Sequence, residues 1–133
     1  MKKEICIHST DKGLLAIEDY LNNLMSELNT PIFLNYKIQL AVHEAFVNSL
    51  IHGNKKNKRK KIKISALQES QKLMISIEDE GEGFDYTNIS DVPPDINNES
   101  GRGLYLMKKL SDKIIFENKG SKVILCFHLN NND

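Results

Sequence analysis

Apolar residues in this chain recur with two different periods, and the switch between them marks out its elements. Residues 3–8 read as a short strand, Lys-Glu-Ile-Cys-Ile-His. Ser9, Thr10 and Asp11 then offer N-caps to a helix over 12–29, in which Leu14, Ile17, Leu21, Leu24, Met25 and Leu28 fall at helical spacing. Asn29-Thr30-Pro31 stops it. A second helix is predicted over 35–52, with Ile38, Val42, Ala45, Phe46, Ser49 and Leu50 as its inner face, and Gly53-Asn54 ends it. The period then drops to two. Ile62, Ile64 and Ala66 alternate with Lys61, Lys63 and Ser65, and Leu73, Ile75 and Ile77 alternate with Met74, Ser76 and Glu78, with a turn over 68–71.

Residues 85–100 follow neither period and contain Pro93-Pro94 and Asn97-Asn98. So long a loop in a compact domain is expected to be a lid. A helix over 103–110 leads to a final hairpin, strands 113–117 and 122–129, joined by Asn118-Lys119-Gly120-Ser121. Residues 130–133 are expected to be a disordered tail. There are no internal repeats, and strands do not strictly alternate with helices. The expected class is therefore α+β, a two-layer sandwich with helices on one face of a mixed, mostly antiparallel sheet, in one domain over residues 1–129.

Composition narrows the function classes. At 133 residues, the chain is long enough to bury roughly two-thirds of its unfolded surface. It balances 18 basic against 18 acidic residues, which argues against a dedicated nucleic-acid binder. No apolar run approaches the ~20 residues of a membrane span, and Met1-Lys2-Lys3 is not followed by a signal-peptide core. A cytosolic protein with no membrane partner is expected. Cys6 and Cys126 both lie in apolar, strand-like runs, so buried, reduced thiols are expected rather than a disulfide or a metal site.

Three short segments carry the candidate chemistry. Counting by two from Leu73 through Ile75 and Ile77 lands on Asp79, which places that carboxylate on the apolar side of the sheet. A carboxylate there must find donors, because an unpaired buried charge is costly. Gly81 and Gly83 follow it, allowing positive φ and close approach of a flat ring. The group is either a strand-ending Asp with a glycine turn or an acceptor for an exocyclic amine. Glu44 and Asn48 stand four apart on one predicted helix and share a face. They are either a polar pair at its edge or a general base beside a hard ligand for Mg²⁺. Gly101-Arg102-Gly103 stands directly before the helical run from Leu104, as a plain loop or as a turn presenting N–H groups to phosphate. Arg102 adds a charge-assisted contact in the second case. His52 either contacts phosphate or closes its own helix. Seven basic residues in the nine positions 55–63 form either a solvated loop or a dock for an acidic partner.

In their order, these segments resemble the boxes of the GHKL family of ATP-binding domains. Within it the chain is most similar to the stand-alone anti-sigma-factor serine/threonine kinases of bacterial partner-switching systems. The resemblance implies that Glu44 is the general base and Asn48 the magnesium ligand, in Glu44-Ala45-Phe46-Val47-Asn48-Ser49-Leu50-Ile51-His52-Gly53. It implies that Asp79 binds the adenine amine with Gly81 and Gly83 beside the ring, and that Gly101, Arg102, Gly103 and Leu104 meet the phosphates. It further implies ATP and Mg²⁺ as cofactors, an anti-anti-sigma-like protein as substrate, a sigma factor as second ligand, and a homodimer. Histidine kinase domains often carry a basic residue about where Ile51 sits and follow a phospho-accepting helix, for which no room is expected here. Two other readings stay open: a catalytically silent, ATP-gated binding module, and a detached histidine kinase-like ATPase domain.

Overall fold

A computed structural model describes residues 2–10, 12–84, 86 and 99–129. Strand β1 (Lys2–His8) leads into helix α1 (Lys12–Leu28) and helix α2 (Ile32–Asn48), which runs on into a wider π-turn at Ser49–Gly53. Strands β2 (Lys61–Glu69) and β3 (Lys72–Glu78) form a hairpin. Helix α3 (Glu99–Leu110) then crosses to β4 (Lys113–Glu117), and a 3₁₀ turn at Asn118–Gly120 returns the chain as β5 (Lys122–His128).

The five strands lie in the order β1-β2-β3-β5-β4. The α+β class and the helical layer are as expected, but all four strand pairings are antiparallel, so the sheet is not mixed. The reason is topological. β3 and β4, joined through α3, do run in the same direction, but β5 inserts between them and pairs with both. Side chains alternate across the pleat, so one face collects Ile62, Ile64, Ala66, Leu73, Ile75, Ile77, Leu125 and Phe127, each 2% exposed or less. Against it pack Ile17, Leu21 and Leu24 of α1 and Ile38, Val42, Ala45 and Phe46 of α2. Burial of this order, at about 25 cal/mol per Å² of apolar surface, is the main force holding the layers together.

Three boundaries differ from the sequence reading. α2 begins at Ile32 rather than 35, directly after Pro31, which holds the N-cap position in extended backbone (φ −57°, ψ 150°). Its first turns carry the exposed side chains of Ile32, Phe33 and Tyr36, which lie off the apolar stripe and conceal the start. The last turn is π rather than α, with Asn54 N–H bonded to Ser49 O at 2.8 Å. α3 begins at Glu99, so Gly101, Arg102 and Gly103 lie inside the helix and not in a turn ahead of it. Glycine costs about 1 kcal/mol in a helix interior, and contact with α2 overrides it. The cysteines are a fourth correction: Cys6 is exposed and Cys126 half-buried, both free, because their register places them on the sheet face away from the helices. Of the expected lid over 85–100, residues 85 and 87–98 lie outside the described residues, as do Asp11 and the 130–133 tail.

Asn54, 1% exposed, ties four segments together. Its Nδ2 donates to Ser9 Oγ at 2.7 Å and to Lys61 O at 2.9 Å, while its Oδ1 accepts from Glu80 N–H at 2.8 Å. The π-turn, the end of β1, the start of β2 and the residue after Asp79 thus share one carboxamide. Asn54→Ala is expected to cost about 3 kcal/mol, since it removes three bonds at once, the one to Ser9 buried and those to the Lys61 and Glu80 backbone part-buried. The check is a lowered urea midpoint at unchanged m-value.

Candidate functional site

Asp79 ends the β3 run with its side chain on the helical side of the sheet, 9% exposed. Its Oδ1 accepts from Gly81 N–H at 2.8 Å, and the Ser49 hydroxyl also bonds it. Burial raises its pKa above the usual carboxylate range; the Gly81 N–H and Ser49 bonds offset part of that rise. Two glycines make the close packing possible. A Cβ on Gly53 would stand 2.2 Å from Asp79 Oδ2, and one on Gly81 would stand 2.3 Å from the Gly53 carbonyl oxygen. Gly53→Ala is therefore expected to lower stability by about 1–3 kcal/mol, read as a drop in thermal midpoint.

Beyond the carboxylate lies a small notch of about 20 Å³, lined by Asn48, His52, Gly53, Asp79, Gly83, Phe84 and Gly120. That volume admits one polar group such as an amine, not a whole ring. Gly83 has φ +88°, and a Cβ there would fall 2.1 Å from the Lys119 carbonyl oxygen, so only glycine fits. The same carbonyl accepts from Phe84 N–H at 2.9 Å, docking the segment after β3 onto the β4–β5 turn. Phe84 meets Phe116 edge-on at 5.6 Å, and Tyr86 stacks on Phe116 at 4.7 Å.

The sequence-predicted residues fall into two groups. Asn48, Asp79 and Gly83 share the notch, with Gly81 bonded to Asp79 at its edge. Glu44 lies one turn back along α2, half-buried, and faces α3, where a Cβ on Gly103 would come within 3.3 Å of its Oε2. Leu104 is half-buried against the core, and Arg102 is exposed. Since the first four N–H groups of a helix, counted from its N-cap, have no intrahelical partner, that of Gly101 lies in the unpaired first turn of α3, whereas Arg102 and Gly103 are past it. The sequence reading passed over Ser49, Gly53, Asn54, Phe84 and Gly120 as site residues. Only Gly53 carried a signal, as the glycine closing the α2 segment.

The donor set fits a magnesium nucleotide. Among the described residues no group of three or more His, Cys, Asp or Glu side chains is placed to hold a metal ion. An ion at Asn48 would therefore take most of its oxygen ligands from phosphates. The buried Asp79 carboxylate in turn suits an amine donor entering the notch.

A family model described as a histidine kinase-like ATPase domain matches residues 9–127. The chain belongs to the histidine kinase-like ATPase family. Among the family's proteins similar to it is an anti-sigma F factor of Clostridium acetobutylicum, 34% identical over a match covering 66% of each chain. The serine-protein kinase RsbW of Bacillus subtilis is 31% identical, over 70% of this chain and 64% of that one. An anti-sigma F factor of Clostridium perfringens is 26% identical over 94% of this chain and 93% of that one. The chain thus spans about two thirds of the length of the first two relatives. In shape it matches a crystal structure of the RsbU and RsbW domains of Rv1364c from Mycobacterium tuberculosis, with a TM-score of 0.69. That match has 16% identity and covers 97% of this chain and 32% of the other, so it speaks for the histidine kinase-like ATPase fold alone. No helix among the described residues is long and apolar enough to cross a membrane.

Proposed function

We propose that this histidine kinase-like ATPase domain, residues 1–129, is an anti-sigma-type serine/threonine protein kinase. It binds Mg-ATP and phosphorylates a small anti-anti-sigma-like partner, and so regulates transcription by partner switching. A sigma factor is its second ligand and a second copy of the chain its dimer partner. One observation carries the reading: a buried carboxylate, Asp79, borders a glycine-lined notch that it shares with Asn48. The relatives named anti-sigma F factor and serine-protein kinase RsbW support the choice of branch.

In this reading Asp79 accepts a hydrogen bond from the adenine amine, and the N–H groups opening α3 meet the phosphates. Arg102, exposed at that helix start, adds charge to the phosphate contact. Magnesium neutralises phosphate charge when bound, with the Asn48 carboxamide oxygen as the protein's ligand. Glu44 accepts the proton of the partner's serine or threonine as that hydroxyl oxygen bonds to the γ-phosphorus. The bond from phosphorus to the β–γ bridging oxygen breaks, and ADP leaves.

The test is retention of partners in ATP and then in ADP, with phosphosite mapping of what is retained. Acid-stable phosphate on a serine or threonine is the expected result. Acid-labile phosphohistidine would instead favour a detached histidine kinase domain, and nucleotide-gated retention with no phosphate a silent binding module.

A further inference from the structure

Seven of the chain's 18 basic residues fall at positions 55–63, and none of its 18 acidic residues does. Lys63 meets Glu4 at 3.1 Å. Among the described residues Lys55, Lys56, Lys58, Arg59 and Lys60 face no carboxylate at ion-pair distance. The backbone gathers this charge rather than spreading it. Lys55 and Lys56 both hold left-handed conformations, φ 52° and 56°, which cost about 1 kcal/mol or more each for residues with a Cβ. Lys56 N–H is bonded to Leu50 O at 2.8 Å, which fixes the turn against the end of α2.

That turn closes a concave pocket of about 410 Å³, lined by Ser9, Thr10, Lys12, Leu50, Lys56 and Lys58. Leu50, 4% exposed, is its apolar wall. Ser9 is 1% exposed, and its Oγ accepts from Asn54 Nδ2 at 2.7 Å, which ties this side of the pocket to the π-turn. The ammonium groups of Lys12, Lys56 and Lys58 beside an apolar wall match carboxylates carried on short aliphatic stems. A nucleic-acid strand is matched poorly, because among the described residues no aromatic side chain lines the pocket for a base and the chain has no net positive charge.

We propose that this pocket docks an acidic segment of a protein partner, one presenting glutamate or aspartate next to an aliphatic residue. The inference does not need the kinase reading. It places the partner against the π-turn whose Ser49 and Gly53 pack on Asp79, since Leu50 belongs to the same turn.

The test is fluorescence anisotropy of a labelled peptide of alternating glutamate and leucine, titrated with the full chain in the absence of nucleotide. Wild type is expected to bind it saturably and more weakly as salt rises. Lys56→Glu with Lys58→Glu is expected to weaken binding about tenfold or more, and the neutral pair Lys56→Gln with Lys58→Gln by less. Lys72→Glu with Lys113→Glu makes the same change in net charge at exposed sites elsewhere and is expected to leave affinity unchanged. All four substituted positions are exposed, and thermal melts confirm folding. No binding to wild type, equal loss in the distant pair, or no loss in the Lys56 and Lys58 variants overturns the proposal. So does tighter binding of an oligothymidylate or of inorganic phosphate than of the peptide.

Discussion

Replacing Asp79 with asparagine is expected to weaken adenine-nucleotide binding about thirty-fold while leaving the free chain at least as stable at neutral pH. The binding loss follows from exchanging a charged acceptor for a neutral one in a buried notch, at about 2 kcal/mol. The stability result follows from burial. The folded-state pKa of Asp79 is raised, chiefly by desolvation, so the folded chain holds that proton more tightly than the unfolded chain does. The group therefore contributes most favourably at pH below its ordinary, unfolded value. That contribution is lost as pH climbs through the ordinary value to the raised one, and is constant above it. Asparagine has no proton to lose. The variant should match wild type in acid and gain on it as pH rises through that window. Thermal melts from pH 3 to pH 8 with calorimetric titration of ADP check both halves. Equal nucleotide affinity in the variant would remove Asp79 from the adenine site.

The second large effect belongs to Glu44. Glu44→Gln keeps size and hydrogen-bonding capacity and removes basicity, so phosphotransfer to the partner should fall about 10²–10⁴-fold, with the affinity for ADP unchanged. The separation matters because Glu44 lies against Gly103 on α3 rather than in the Asp79 notch. Loss of both affinity and rate would mean that the side chain holds α2 and α3 together. Full activity would remove Glu44 as the base. Labelled ATP, with initial rates measured at saturating nucleotide, distinguishes the three outcomes.

Much of this fold is legible in the order of residues, for physical reasons. Strands β2, β3 and β5 alternate strictly because one face meets helices and the other does not, and α1 is amphipathic for the same reason. Asp79 could be placed on the inner face by counting alone, since a pleat leaves no freedom once Leu73, Ile75 and Ile77 are buried. What the pattern hid was set by tertiary contact. Gly101 and Gly103 look like a loop locally, yet the backbone there is helical because α3 packs on α2. The π-turn has no local signature; it forms where Asn54 bonds Ser9, Lys61 and Glu80, which stand up to 45 positions apart from it in sequence. Cys6 and Cys126 mislead because an apolar run does not reveal which pleat face a residue takes, whereas the register does.

The division of roles around the notch follows the same logic. Asp79, Gly53 and Gly81 are fixed by close packing in the free chain, with backbone and carboxylate atoms that leave no room for a Cβ. Arg102 stands exposed at the start of α3. In the proposed function, this fixed packing preorganises the adenine site, with little to rearrange when a base arrives.

A crystal structure with a non-hydrolysable ATP analogue and magnesium is the most direct measurement of the central claim. The expected result is the adenine amine within hydrogen-bond distance of the Asp79 carboxylate, with the Asn48 side-chain oxygen on the metal. An analogue bound with its base elsewhere, or a notch left vacant at saturating analogue, would contradict it.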